Sequence, residues 1–191
     1  MYYIKEHYTD TLEVKQSKFI AHLVPYTDYE STLNKLQQEH PKARHFVTAY
    51  RYLNEYGQIV ESSSDDGEPK GTSGKPSLMV LQGNALINTA VIIVRYFGGT
   101  KLGTGGLVRA YSDAVNLVIE KAELSPYKEL VEKNISCDYT DVGKVEYACR
   151  SEDVIIKEKI FDSKVTFIIE APKKQIESLL QDLDRIVTVK E

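Results

Sequence analysis

The spacing of apolar residues changes period several times along the chain, and each change predicts an element. Residues 17–24, Ser-Lys-Phe-Ile-Ala-His-Leu-Val, have β character with short alternation and read as the first strand. Tyr29, Leu33 and Leu36 then recur at helical spacing behind a Thr27-x-x-Glu30 capping box, and His40-Pro41 ends that helix. Residues 45–52 form a strand, 54–57 carry turn residues, and 58–61 return as a hairpin partner. Residues 62–68 hold no apolar side chain, which predicts an exposed, mobile loop. Pro76 near its start and Gly83 beyond its end bracket a short helix. The wholly apolar run 90–94 lies in a buried strand over 88–94. Leu107, Tyr111, Ala114 and Val118 define a long helix from about Thr104 to Ala122.

The last third has its own rhythm. A strand over 130–137 precedes a helix over 140–151 with Val142, Val145 and Cys149 on one face. Strands at 154–156 and 165–169 flank a turn at Asp162-Ser163. Ile176, Leu179, Leu180 and Leu183 mark a helix after Pro172, and 186–189 close the chain as a strand. The order βαββαβ is the ferredoxin-like pattern. The division predicted is a first domain over 1–123 and a second over 127–191.

Most of the 11 glycines fall between the acidic serine loop and the long helix. Strand, glycine loop and helix start, in that order, offer backbone N–H groups to an anion. Gly98, Gly99, Thr104, Gly105 and Gly106 would supply the cradle, with Lys101 and Arg109 adding positive charge. The loop fits neither the Walker A spacing nor the dinucleotide Gly-x-Gly-x-x-Gly spacing. It reads equally well as a loop that packs a helix close to a sheet. His45, Arg51, Lys75 and Arg95 complete a candidate anion-binding or nucleic-acid-binding set. Tyr50, Tyr52, Tyr96 and Phe97 are stacking candidates, although Phe97 reads more readily as core. Arg95 and Arg109 have a second reading, as partners for Asp65, Asp66 or Asp113.

Composition narrows the choice. The chain has 191 residues, 42% hydrophobic and 27% charged, with a net charge of -4. That balance makes DNA an unlikely partner, although a basic face remains open to a neutral first domain: 13 basic and 13 acidic residues precede Glu123, against 11 and 15 from there on. The two cysteines, Cys137 and Cys149, lie on apolar patterns and read as buried thiols. A polar start without a signal-peptide core, and no apolar run of membrane length, predict a cytoplasmic protein with no membrane partner. Two other classes stay open. Asp65, Asp66 and Glu68 would hold Mg²⁺ in an enzyme acting on a phosphorylated small molecule or nucleotide, with His45 as acid or base. An adaptor would instead present the acidic tail domain and the loop over residues 62–68, and the sequence leaves open whether Tyr139, Tyr147 or Phe167 lies on the exposed sheet face. No cofactor is expected, and catalysis is less expected than binding.

Several of these stretches together resemble the YigZ/IMPACT family. They are residues 16–20, His45 with Ala49-Tyr50-Arg51, residues 64–76, and residues 95–111 from Arg95-Tyr96-Phe97-Gly98-Gly99 to Arg109-Ala110-Tyr111. The family usually shows Gly-Thr-Ala-Gly where this chain has Gly71-Thr72-Ser73-Gly74. The resemblance implies an α+β protein. Its first domain would be like the second domain of a small-subunit ribosomal protein, as in elongation factor G. Its second would be like the last, ferredoxin-like domain of elongation factor G. Eukaryotic relatives regulate translation by binding protein, and for bacterial members the resemblance implies a partner among RNA, the ribosome or a translation-associated protein.

Overall fold

The computed structural model describes residues 1–190, and the chain divides into two compact units, Met1–Tyr127 and Lys128–Glu191. In the first unit the strands are β1 (Tyr2–Tyr3), β2 (Tyr8–Val14), β3 (Ser17–Pro25), β4 (His45–Leu53), β5 (Ile59–Ser64), β6 (Thr89–Tyr96) and β7 (Ser125–Pro126). The helices are α1 (Tyr29–Glu39), α2 (Gly74–Gly83) and α3 (Gly103–Lys121). Five strands form one antiparallel sheet in the order β2-β3-β6-β4-β5, while β1 pairs with β7.

Strand β6 sits at the centre, and every residue from Thr89 to Arg95 is buried. Both of its faces are covered, which explains the unbroken apolar run. Val91 and Ile93 pack with Leu81 of α2 and with Leu107, Tyr111, Ala114 and Val118 of α3. Ile92 and Val94 pack on the other face with Leu36 and Leu33 of α1. Alternation therefore turns Arg95, cross-strand from Phe19 and His45, toward the α2–α3 side.

Two local expectations give way. The Thr27 capping box does not form: the chain enters α1 through a 3-10 turn over Tyr26–Asp28, and Ser31 Oγ donates to the Asp28 carbonyl. Residues 62–64 lie in β5 instead of a loop, cross-strand from Tyr50, Ala49 and Thr48.

The second unit contains β8 (Leu130–Cys137), α4 (Val142–Ser151), β9 (Ile155–Phe161), β10 (Val165–Pro172), α5 (Lys173–Asp182) and β11 (Thr188–Lys190). Its sheet is antiparallel in the order β11-β8-β10-β9, so βαββαβ folds as a ferredoxin-like unit. Its core takes Ile135, Phe167 and Ile169 from one sheet face, Val145 and Cys149 from α4, and Ile176 and Leu179 from α5. Phe167 is thereby removed from the surface, whereas Tyr139 and Tyr147 are exposed. Both cysteine thiols are buried, and burial pushes them up from their ordinary value.

Candidate functional site

The glycine loop, the acidic loop and the starts of α2 and α3 gather at one end of the five-stranded sheet, where β4 begins and β6 ends. The acidic loop is tightly wound. Asp65 accepts from the amides of Gly71 at 2.7 Å, Ser73 at 3.1 Å and Gly74 at 2.8 Å, and from Ser73 Oγ at 2.7 Å. Burial alone would raise this carboxyl, but those bonds hold it below the ordinary carboxylate value. Asp66 Oδ2 accepts from the Phe46 amide at 2.6 Å, and its carbonyl accepts from His45 Nδ1–H at 2.7 Å. His45 thus ties the loop to the edge of β4.

Residues 62–64, 66 and 67 are exposed as expected, but Glu68 lies deepest, at 8% exposure, and departs from the expectation of an exposed loop. Its carboxylate forms a buried ion pair with the Arg95 guanidinium and accepts from Tyr111 Oη at 2.8 Å. The guanidinium lies over the Phe19 and Phe97 rings, at 5.3 and 5.9 Å, and its Nε has no protein acceptor among the described residues. Burial, with Glu68 beside it, pushes the Tyr111 phenol up from its ordinary value. Arg95 therefore joins the acidic loop to the root of the glycine loop, pairing with Glu68 and not with Asp65 or Asp66.

Arg51 is also turned inward. Its Nε donates to Glu61 at 2.6 Å and its terminal nitrogen to the Leu86 carbonyl at 2.7 Å. The proposed cations are thus two groups: Arg51 and Arg95 are consumed by the fold, whereas Lys75, Lys101 and Arg109 are exposed. Neither Lys101 nor Arg109 enters an ion pair among the described residues. Both carboxylate oxygens of Asp65, one of Asp66 and one of Glu68 accept from the protein's own donors, and no cluster of metal-binding side chains occurs among the described residues.

The glycines divide in the same way. A Cβ on Gly98 would lie 2.0 Å from the Gln16 carbonyl carbon, and the Gly98 amide donates to Ser17 Oγ at 3.1 Å. Gly98 therefore lets the loop press on the β2–β3 turn. Phe97 ends outside the core, at 53% exposure, contrary to the reading as a core residue. The start of α3 is open by contrast. Leu102 stands at its cap without a side-chain acceptor, its first turn has no acidic residue, and Thr104 and Gly105 are exposed. A Cβ on Gly105 would meet nothing within 4 Å, so no contact in the fold explains that glycine.

Geometry and fold together define a two-domain α+β protein with a polar, loop-built end on its first domain. Residues 15–119 match the Impact N-terminal domain, and residues 135–186 match a domain of unknown function, DUF1949. An IMPACT family member of Haemophilus influenzae is 36% identical over 174 residues, covering 90% of this chain and 84% of its own. IMPACT family member YigZ of Escherichia coli is 36% identical over 137 residues, covering 70% and 67%. The crystal structure of a protein described as hypothetical superposes with a TM-score of 0.65 at 29% identity, covering 98% of this chain and 95% of that one. The chain belongs to the IMPACT family. No described helix is long and apolar enough to cross a membrane.

Proposed function

We propose that this chain is a translation-linked regulator that binds RNA, free or within the ribosome, through the open start of α3, without catalysis. The observation that carries this reading is that helix start itself: an uncapped first turn, a glycine no neighbour requires, and two exposed unpaired cations, Lys101 just before the helix and Arg109 in its second turn. Helix N-termini attract phosphate through free N–H groups and the helix dipole. Lys101 and Arg109 would displace counterions from the backbone of a bound strand. Exposed Phe97 adds a stacking face at the same loop, with the Arg95 guanidinium on its ring. The family resemblance supplies the link to translation, because its eukaryotic members act there.

The test is RNA and ribosome affinity at about 50 and 200 mM salt. Wild type binds in a salt-sensitive manner. Lys101→Ala and Arg109→Ala weaken binding across sequences and each lower the salt slope by about one. Variants that bind like wild type, or a wild type that binds neither RNA nor ribosomes, overturn the reading.

A further inference from the structure

The opposite end of the same sheet holds a feature that the α3 start does not use. Where β3 and β4 end and β6 begins, a cavity of about 630 Å³ opens beside β1. Its walls include Tyr26, Tyr52, Asn88, Lys5 and Asp28. That volume falls within the range of small-molecule sites. Tyr26 and Tyr52 are stacked nearly parallel, with ring centroids 4.1 Å apart and planes 7° from parallel. Tyr29 and Tyr50 stand behind them, within 6.2 Å of Tyr26. The fold holds this aromatic wall in place. Asn88 has a positive φ of 51°, its carbonyl accepts from the Tyr26 amide at 2.9 Å, and its Oδ1 accepts from the Leu53 amide at 3.0 Å.

The polar groups around the stack remain available. Lys5 and Asp28 line the cavity, and neither enters an ion pair among the described residues. One oxygen of Asp28 accepts from Thr27 Oγ1 at 3.2 Å, which leaves the other. With its Oδ1 spent on Leu53, the Asn88 amide is left to donate. A flat aromatic wall, one cation, one carboxylate acceptor and one amide donor match a ring with a π-face, polar edges and an attached phosphate. An aliphatic chain would bury Lys5 and Asp28 without partners, a costly arrangement.

We propose that this cavity binds a nucleobase with its phosphate, the base lying against the Tyr26–Tyr52 stack and the phosphate reaching Lys5. Asp28 and the Asn88 amide meet the base edge. The base is carried either by a free nucleotide or by a single-stranded nucleic acid, since the recognised chemistry is the same. The site is independent of the α3 start, which lies at the far end of β6, about 25 Å of strand away.

Isothermal titration of the full chain with adenosine 5′-monophosphate, ribose 5-phosphate and a short oligoadenylate tests it. Adenosine 5′-monophosphate is expected to bind, with ribose 5-phosphate about ten-fold weaker or more, because stacking onto an aromatic is worth roughly that factor or above. Tyr52→Leu loses about ten-fold in affinity, whereas Tyr52→Phe, which keeps the ring, retains it. Lys101→Ala leaves the mononucleotide unaffected, which separates this site from the RNA reading above. An oligoadenylate that binds tighter than the mononucleotide assigns the base to a strand, and equal affinity assigns it to a free nucleotide. No binding of adenosine 5′-monophosphate at millimolar concentration overturns the proposal. So does ribose 5-phosphate binding as tightly, a folded Tyr52→Leu that binds like wild type, or Lys101→Ala abolishing the mononucleotide site. Should circular dichroism find Tyr52→Leu unfolded, Lys5→Ala decides: it must weaken the mononucleotide and leave adenosine unchanged, and any other result counts against the site.

Discussion

Two helices start from loops at the same end of the five-stranded sheet, and only one of them is closed. At the start of α2 the Asp65 carboxylate occupies the place of an anion, accepting from the amides of Ser73 and Gly74 and from Ser73 Oγ. Gly74 is there for space, since a Cβ on it would lie 2.7 Å from the Ser64 backbone. At the start of α3 no side chain caps the first turn, and a Cβ on Gly105 would stand in open space. The difference separates glycine used for packing from glycine that only lowers the helix's own stability. Leu102 packs against the core, which explains a leucine at the cap, but helix stability alone would favour alanine over Gly105. On the proposed function, this opening is what a phosphate partner would use.

Four perturbations bear on this contrast and on the sheet that carries it. The largest is at the joint between the loops. Arg95→Met leaves the Glu68 carboxylate buried without its cation and should cost about 3–5 kcal/mol, read as a lower midpoint in urea. Asp65→Ala opens the α2 start and should cost about 2 kcal/mol, because four hydrogen bonds lose their acceptor at once.

A pH effect of similar size comes from the other face of the sheet. His22 is 8% exposed, its Nδ1 lies 3.0 Å from His7 Nε2, and its Nε2 has no protein partner among the described residues. Burial, and next the charge of His7 and His40, pushes it down to about 4. A histidine whose folded value lies below its unfolded one resists protonation only when folded. Stability is therefore full above about pH 6.5 and falls between there and pH 4, by on the order of 2 kcal/mol. His22→Gln should flatten that part of a denaturation series against pH. A wild type equally stable at pH 7 and pH 4.5 contradicts the assignment.

The smallest effect has the opposite sign. Gly105→Ala should raise stability by about 0.5–1 kcal/mol, whereas Gly74→Ala should lower it. A destabilised Gly105→Ala would mean that the α3 start is under a constraint not visible in its contacts.

The comparison also explains what the sequence could reveal. The run 90–94 and the i, i+3, i+4 spacing of α3 and α5 are legible because burial on both faces or along one stripe fixes the period. Strand β2 is not, because Asp10 interrupts the alternation of Tyr8, Leu12 and Val14. That aspartate is held by Lys121 of α3, 2.8 Å away and 111 positions on. The burial of Glu68 is hidden for the same reason, since its partners Arg95 and Tyr111 lie 27 and 43 residues downstream. A polar loop and a buried ion-pair loop have the same composition, and only tertiary contacts separate them. The open α3 start was readable as strand, glycine loop and helix. Which arginines stay outside was not, because Arg51, Arg95 and Arg109 differ in their neighbours and not in their local pattern.

Phosphate recognition is what the proposed function asks of the α3 start. It is tested most directly by following backbone amide chemical shifts in ¹H–¹⁵N spectra while a short single-stranded RNA is added. The amides of Gly103, Thr104 and Gly105, which have no acceptor within the helix, are expected to shift first and furthest, with this response collapsing at high salt and in Lys101→Ala. Shifts that leave those three amides unmoved while RNA is bound elsewhere would contradict it.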